Sequence, residues 1–272
     1  MKMACIVLNY NDAEMTCKAV EVARVTNEYE CIIVVDNCSR DQDYNKLIGI
    51  QDKHTLLLRS NKNGGYGSGN NLGLRKAIEM GMTHAVIANP DVSYSAACIA
   101  EMKKVFLDKK DCGVVAPKLD YRGNLCFSKL PNAKEILLES SSLYLKLFGR
   151  ATAYPKEYYA QKDIVECEVV VGAMLAVDLQ KMKDCFYDER FFLYGEEWVL
   201  GYKMREHGYK TYGLLNVGYS HMLSHTIDQE YSGFSKRRKL SNNSKKLYLK
   251  YYLKVSKLYY CFADFILWIL LF

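Results

Sequence analysis

The sequence predicts an α/β fold: a Rossmann-like, mostly parallel sheet with helices on both faces, followed by a basic amphipathic helical tail. Three observations carry this. Short apolar runs rich in β-branched residues recur through the first 120 residues, each too short for a helix and bounded by polar or turn residues. Stretches of helical spacing separate these runs, the order expected of strands joined by crossover helices. The chain's basic excess is confined to its C-terminal end.

The elements follow in order. Ala4–Leu8 forms the first strand, and Asn11-Asp12 caps a helix with Met15, Ala19, Val22 and Ala23 on one stripe. Cys31–Val35 and Thr55–Leu58 are the second and third strands. A turn containing Gly64, Gly65, Gly67 and Gly69 opens a helix over Leu72 to Met80, which Gly81 ends. Ala85–Ala88 is the fourth strand and closes on Asn89-Pro90-Asp91. A helix from about Ser95 to Asp108 leads to a strand at Gly113–Ala116. Leu130 to Lys162, rich in Tyr, Leu and Lys, is a partly helical insertion that offers no chemical reading. Val169 to Val171 is a strand, Gly172-Ala173-Met174 a turn, and a helix starts at Asp178. The aromatic run Phe191 to Tyr194 and the acids Glu196 and Glu197 precede a helix ending at Gly208. His221 and His225 close the domain at a strand leading to the tail.

At 272 residues and 50% hydrophobic content, the chain can bury a full core as one large domain or as a domain with a tail. Its ten cysteines are scattered, several in apolar runs, without a C-x-x-C pair, so they read as buried free thiols in a reducing compartment. The apolar N-terminal run is interrupted by Asn9, Asn11 and Asp12, too soon for a signal peptide, which predicts a cytoplasmic body.

In a parallel sheet, ligands lie beyond the carboxyl ends of the strands. Those ends carry Asn9 and Asn11, Asp36 and Asn37, Asn63, and Asn89 with Asp91. The glycine turn suits close approach to an anion such as a nucleotide diphosphate at a helix N-terminus, although steric need alone also explains glycine there. A G-x-G-x-x-G fingerprint after the first strand and a Walker lysine are both missing, which excludes the standard dinucleotide and P-loop folds. Asp36 fits either a hydrogen bond to a nucleoside or a turn. Asp91 offers hard oxygens for Mg²⁺ or Mn²⁺; alone, Asn-Pro-Asp is also a common turn. Glu196 and Glu197 beside aromatic residues are expensive to bury unless one is a base or both are hydrogen-bonded, and a helix start is the plainer account. A lone histidine is more often structural, but His221 closes a polar turn bearing Gly and Ser, which also suits phosphate or metal contact.

Taken together, Asn9-Tyr10-Asn11, Val35 to Ser39, Asn63 to Gly73 (including Gly64, Gly67 and Asn70), Asn89-Pro90-Asp91, Gly172-Ala173-Met174 and Phe191 to Glu197 stand in an order that resembles family 2 glycosyltransferases, in their rhamnosyltransferase-like branch. The resemblance spans about residues 3 to 225. It implies a GT-A fold, a nucleotide-sugar donor such as a UDP- or dTDP-sugar, a divalent metal, inversion at the anomeric carbon, and a saccharide or lipid-linked acceptor in cell-surface polysaccharide synthesis. Asp36 then matches the nucleoside-binding aspartate, Asp91 the metal-binding end of a D-x-D-like motif, and Glu197 the catalytic base beside Glu196. The family's usual Glu-Asp-x-Asp is here Glu196-Glu197-Trp198-Val199, which lengthens one acid and replaces another by an apolar residue. A non-catalytic nucleotide-sugar-binding module and a nucleotidyltransferase stay open as alternatives.

Between Ser232 and Phe272 nine basic residues face Asp264 alone, a local +8 against +6 for the whole chain, so residues 1–231 carry about −2. The basic residues interleave with Leu and Tyr, and the last eleven are almost wholly apolar. Charge without the apolar end would suit nucleic acid; the combination suits an anionic membrane surface. The sequence therefore predicts a glycosyltransferase-like domain at 1–231, a tail at 232–272 that attaches it peripherally to the inner face of the cell membrane, and no nucleic-acid partner. A homodimer is left open.

Overall fold

The computed structural model describes residues 1–120, 127–222 and 234–270. In chain order, β1 (Met3–Asn9), α1 (Ala13–Thr26), β2 (Cys31–Asp36), α2 (Asp41–Leu47), β3 (Thr55–Arg59), α3 (Tyr66–Glu79) and β4 (His84–Ala88) form a parallel α/β half. Then follow β5 (Val92–Ser93), α4 (Ala96–Asp108), β6 (Cys112–Leu119), α5 (Ala133–Leu138), α6 (Ser142–Phe148), β7 (Ile164–Cys167), β8 (Met174–Asp178), α7 (Leu179–Cys185), α8 (Glu196–Glu206), β9 (Lys210–His221), α9 (Phe234–Tyr251) and α10 (Lys257–Ile269). The strand order is β3-β2-β1-β4-β8-β6-β9-β5, with β7 alongside β9.

Consecutive strand residues point to opposite faces, and the central strands are apolar on both. Ala4 and Ile6 of β1, Ile33 and Val35 of β2, and Ala85 and Ile87 of β4 pack with Leu74 of α3, Met182 of α7 and Met204 of α8. Their neighbours Cys5, Val7, Ile32 and Val34 meet α1 and α2, while Val86 and Ala88 meet α4 through Ile99 and Met102. Strands covered on both sides lose the alternation of a half-exposed sheet, which is why they read as unbroken apolar runs.

The structure differs from the sequence reading in three places. The sheet is mixed, because β8 runs antiparallel to both β4 and β6. Val169 makes a single bridge to Ser128, and the strand lies after the Gly172-Ala173 turn, at β8. Helix α3 begins at Tyr66, six residues before the expected start. Gly67 and Gly69 are therefore helical, kept as glycine by packing: a Cβ on Gly69 would lie 2.3 Å from Leu8 Cδ1. The tail, whose placement the sequence left open, packs on the domain. Tyr248 and Leu249 of α9 and Ala263 of α10 share one buried cluster with Phe191, Val199 of α8 and Ile136 of α5. The expected His225 lies outside the described residues.

Candidate active site

Wholly buried Asp36 ends β2. Its carboxylate accepts from the Asn9 amide at 2.8 Å and the Ser39 N–H at 3.2 Å, with Arg59 Nε at 3.4 Å. Asn9 is also saturated, donating to Ser39 Oγ and accepting from Thr16. Asn11, at φ +53°, is held by Ser39 and Arg40. These residues make a rigid shelf at the β1 and β2 ends. Arg59 escaped the sequence reading, although it too stands at a strand's carboxyl end.

The neighbouring Asn37 carries the shelf to the glycine segment. Its amide donates to Asn63 Oδ1 at 3.0 Å and to the Gly65 carbonyl at 3.1 Å. Asn63 in turn accepts from the Gly65 N–H, and the Tyr66 N–H donates to the Phe192 carbonyl at 3.0 Å. Two of the N–H groups expected to face a diphosphate are thus bound within the protein. Gly65 sits at φ +88° with the Phe192 carbonyl 2.1 Å from where a Cβ would stand, so only glycine lets these two loops touch. Gly64 lies over Ser68 and Gly67 over Tyr187. Asn70 is wholly buried and donates to the Tyr66 carbonyl, securing the helix start.

Tyr66 is the residue the sequence reading missed, although it lies inside the quoted motif. Its hydroxyl donates to the Gly172 carbonyl at 2.5 Å, tying α3 to a turn 106 residues away. Gly172 presses against Glu197, whose Oε1 lies 2.8 Å from a Cβ built there. On the other side of that turn, the Ala173 carbonyl accepts from the Asn89 N–H at 2.8 Å. The Asp36 shelf, the start of α3, the Gly172-Ala173 turn, the acids of α8 and the Asn89-Pro90-Asp91 end form one connected set.

Glu196 and Glu197 open α8 after Gly195, at φ +84°. Glu196 is 3% exposed, and its Oε1 has no partner among the described residues. Burial, and then the neighbouring Glu197 charge, push its pKa well above the usual carboxylate range. Burial raises Glu197 as well, opposed by its own N–H and that of Gly172. Tyr187, whose buried hydroxyl has no partner among the described residues, crosses Tyr66 edge-on at 6.0 Å. An acid pair with raised pKa values in a tyrosine-walled recess is suited to proton transfer. The loop before it is braced from the tail: Ser244 of α9 donates to the Leu193 carbonyl at 2.9 Å.

Asp91 is 8% exposed. One carboxylate oxygen meets His221 Nε2 at 3.0 Å; the other is buried without a partner among the described residues. No cluster of three or more His, Cys, Asp or Glu that could hold a metal occurs among the described residues. A two-residue O/N set with a spare buried carboxylate oxygen nevertheless fits Mg²⁺ or Mn²⁺, which keep several positions for water and substrate phosphates. The nine described cysteines are all free, and burial raises the thiol pKa of most of them.

Residues 4–151 match the family model described as Glycosyl transferase family 2. The chain belongs to glycosyl transferase family 2. The family's fold extends to solved structures at low identity. GalNAc-T7, crystallised with UDP, GalNAc and Mn²⁺, superposes with a TM-score of 0.65 at 13% identity, covering 81% of this chain and 44% of that one. The mannosyltransferase PcManGT from Pyrobaculum calidifontis, in complex with GDP-Man and Mn²⁺, gives 0.61 at 13% identity, covering 99% and 73%. Residues 1–349 of S. aureus TarS give 0.54 at 15% identity, covering 98% and 69%. No curated protein matches the chain in sequence. At these identities the likeness shows the GT-A fold, and this family 2 chain spans less than half the length of the GalNAc-T7 chain.

Proposed function

We propose that this chain is an inverting glycosyltransferase of the rhamnosyltransferase-like branch, moving a hexosyl or deoxyhexosyl group from a UDP- or dTDP-sugar to a saccharide or lipid-linked acceptor in cell-surface polysaccharide synthesis. The observation that carries the reading is the turn at Gly172-Ala173, which contacts the half-buried acid Glu197 on one side and the Asn89-Pro90-Asp91 strand end on the other. Charge on the donor's diphosphate and a proton from the acceptor have to be handled within a few ångströms of each other, and this turn brings the two capacities together.

In this reading Asp36 and the Asn9–Asn11 shelf receive the nucleoside. Asp91 and His221 would hold the divalent metal, which, when bound, offsets the negative charge of the departing nucleotide diphosphate. Glu197 takes the proton of the acceptor hydroxyl as it attacks the anomeric carbon from the face opposite the nucleotide; the bond to the diphosphate breaks, and configuration inverts. Glu196, deeper in the recess, acts on Glu197 by its charge state. Val199, where the family usually has a second aspartate, is 1% exposed in the cluster shared with α9 and α10, so packing takes up that departure. Residues 232–272 would attach the enzyme peripherally to the inner face of the cell membrane, close to a lipid-linked acceptor.

Nucleotide release from a donor panel tests the assignment. The full chain should release nucleotide from a UDP- or dTDP-sugar only with Mn²⁺ or Mg²⁺ present, and Asp91→Asn should lower this by about 10²-fold or more, as removal of a charge-stabilising group does. An Asp91→Asn protein that keeps most of its metal-dependent release would remove the metal from this site.

A further inference from the structure

The outward side of α10 is apolar where a water-facing helix would be polar. Leu258, Phe262, Phe265 and Ile269 recur at helical spacing and are 83%, 52%, 57% and 46% exposed. Trp268 stacks on Phe265 and is 56% exposed. The inward side is fixed: Ala263 and Leu267 are buried, and the Asn242 amide of α9 donates to the Leu267 carbonyl at 2.8 Å. The helix is therefore fastened to the domain with its apolar strip turned away from it.

Cations border the strip. Lys239 and Lys246 of α9 line, with Phe265 and Trp268, an open cleft of about 500 Å³ between the two helices. Lys250, Lys254 and Lys257 are exposed at the turn from α9 into α10. Asp264, the one acid in this region, is met by Lys246 at 3.0 Å. No described helix is long and apolar enough to cross a membrane. The 13 residues of α10 reach about 20 Å, short of the ~30 Å hydrocarbon core. A short helix that is apolar on one face and flanked by lysines lies in the plane of a lipid interface.

We propose that this face is the docking surface for an anionic phospholipid bilayer. Leu258, Phe262, Phe265, Trp268 and Ile269 enter the headgroup boundary, and the exposed Lys239, Lys250, Lys254 and Lys257 meet lipid phosphates. The nine-to-one excess of basic residues between Ser232 and Phe272 favours this partner over an apolar protein surface. The proposal rests on the peripheral attachment proposed above, names its surface, and is independent of the transfer chemistry.

Flotation of the full chain with phosphatidylcholine vesicles, with and without phosphatidylglycerol, tests it. The full chain should float with the anionic vesicles, less with the neutral ones and less in high salt, with a blue shift of tryptophan emission reporting Trp268. Phe262→Ser with Phe265→Ser should weaken vesicle binding by about tenfold or more, while leaving thermal melting and vesicle-free nucleotide release unchanged. If the double variant melts poorly, Leu258→Ser carries the same test at the most exposed position. A full chain that stays unbound overturns both attachment and surface. A double variant that floats like the parent leaves attachment standing and overturns this surface. Loss of a dimer on substitution, with vesicle binding intact, makes the strip a contact between copies and overturns the proposal too. Donor turnover, measured in the same preparations, reports the transfer reading separately.

Discussion

As the proposed base, Glu197 would work under two opposed requirements: a base must be ionised, and its recess favours the neutral acid. Burial raises its folded pKa, so turnover should rise with pH through a midpoint above the ordinary Glu value of about 4.3. Glu197→Gln should keep donor binding and lose transfer by about 10²-fold or more, with Glu196→Gln losing less, read from single-turnover rates beside donor titrations. The more damaging loss at Glu196 would reverse the pair. The same shift has a stability sign. A carboxyl with a raised folded pKa binds its proton more tightly when folded, so stability falls as pH rises from the unfolded pKa through the folded one. Replacing Glu196, whose pKa burial also raises, should therefore raise the melting temperature relative to the parent more at pH 7 than at pH 4. An equal difference at both values would refute the buried charge.

Helix α3 shows how far local pattern reaches. Its glycines read as a ligand-cradling loop, yet packing fixes those inside the helix: Gly67 lies over Tyr187, Gly69 over Leu8 of β1, and a Cβ on Gly73 would meet Ile6 Cγ2 at 2.6 Å and Val35 Cγ2 at 3.2 Å. Gly73→Ala should destabilise by about 1–3 kcal/mol in urea unfolding through overpacking. Gly49→Ala, with nothing within 4 Å, should stay within about ±0.5 kcal/mol. Equal effects would refute the close packing of α3. The strands β1 to β4 and β6 were legible because buried parallel strands are continuous apolar runs, as was the cap at Asp178, whose side chain accepts from Gln180 and Lys181. The candidate site was legible as a set of strand-end polar residues. Its connections were not, because Tyr66 to Gly172 and Asn89 to Ala173 join segments far apart in sequence. The start of α3 and the place of β8 were missed for the same reason: each depends on a tertiary neighbour, and glycine spacing or a valine run cannot report one.

At the scale of the molecule, α9 and α10 bind the C-terminal region into the core that supports α8. Deleting residues 232–272 removes Tyr248 and Leu249 from beside Phe191 and Val199. It also removes the Ser244 hydroxyl from Leu193 and that of Tyr252 from Asp188. Burial would raise the Asp188 pKa, but Arg190 and Tyr252 outweigh it and hold it down at about 2. At about 1.5–3 kcal/mol for each large buried side chain, the deletion should lower the melting temperature sharply or abolish cooperative melting by circular dichroism. A truncated protein that melts like the parent would make residues 1–231 a self-sufficient domain. One further consequence belongs to synthesis. Strand β4 pairs with β1 on one side and with β8 on the other, His84 opposite Asp178. As the chain leaves the ribosome, β1 to β4 can assemble while the second partner of β4 is still unmade, ninety residues away. At about 5–20 residues per second that interval lasts roughly 5–20 s. Throughout it, the nascent protein presents the open edge of β4, apolar from Ala85 to Ala88, which is able to pair with other chains until β8 is made.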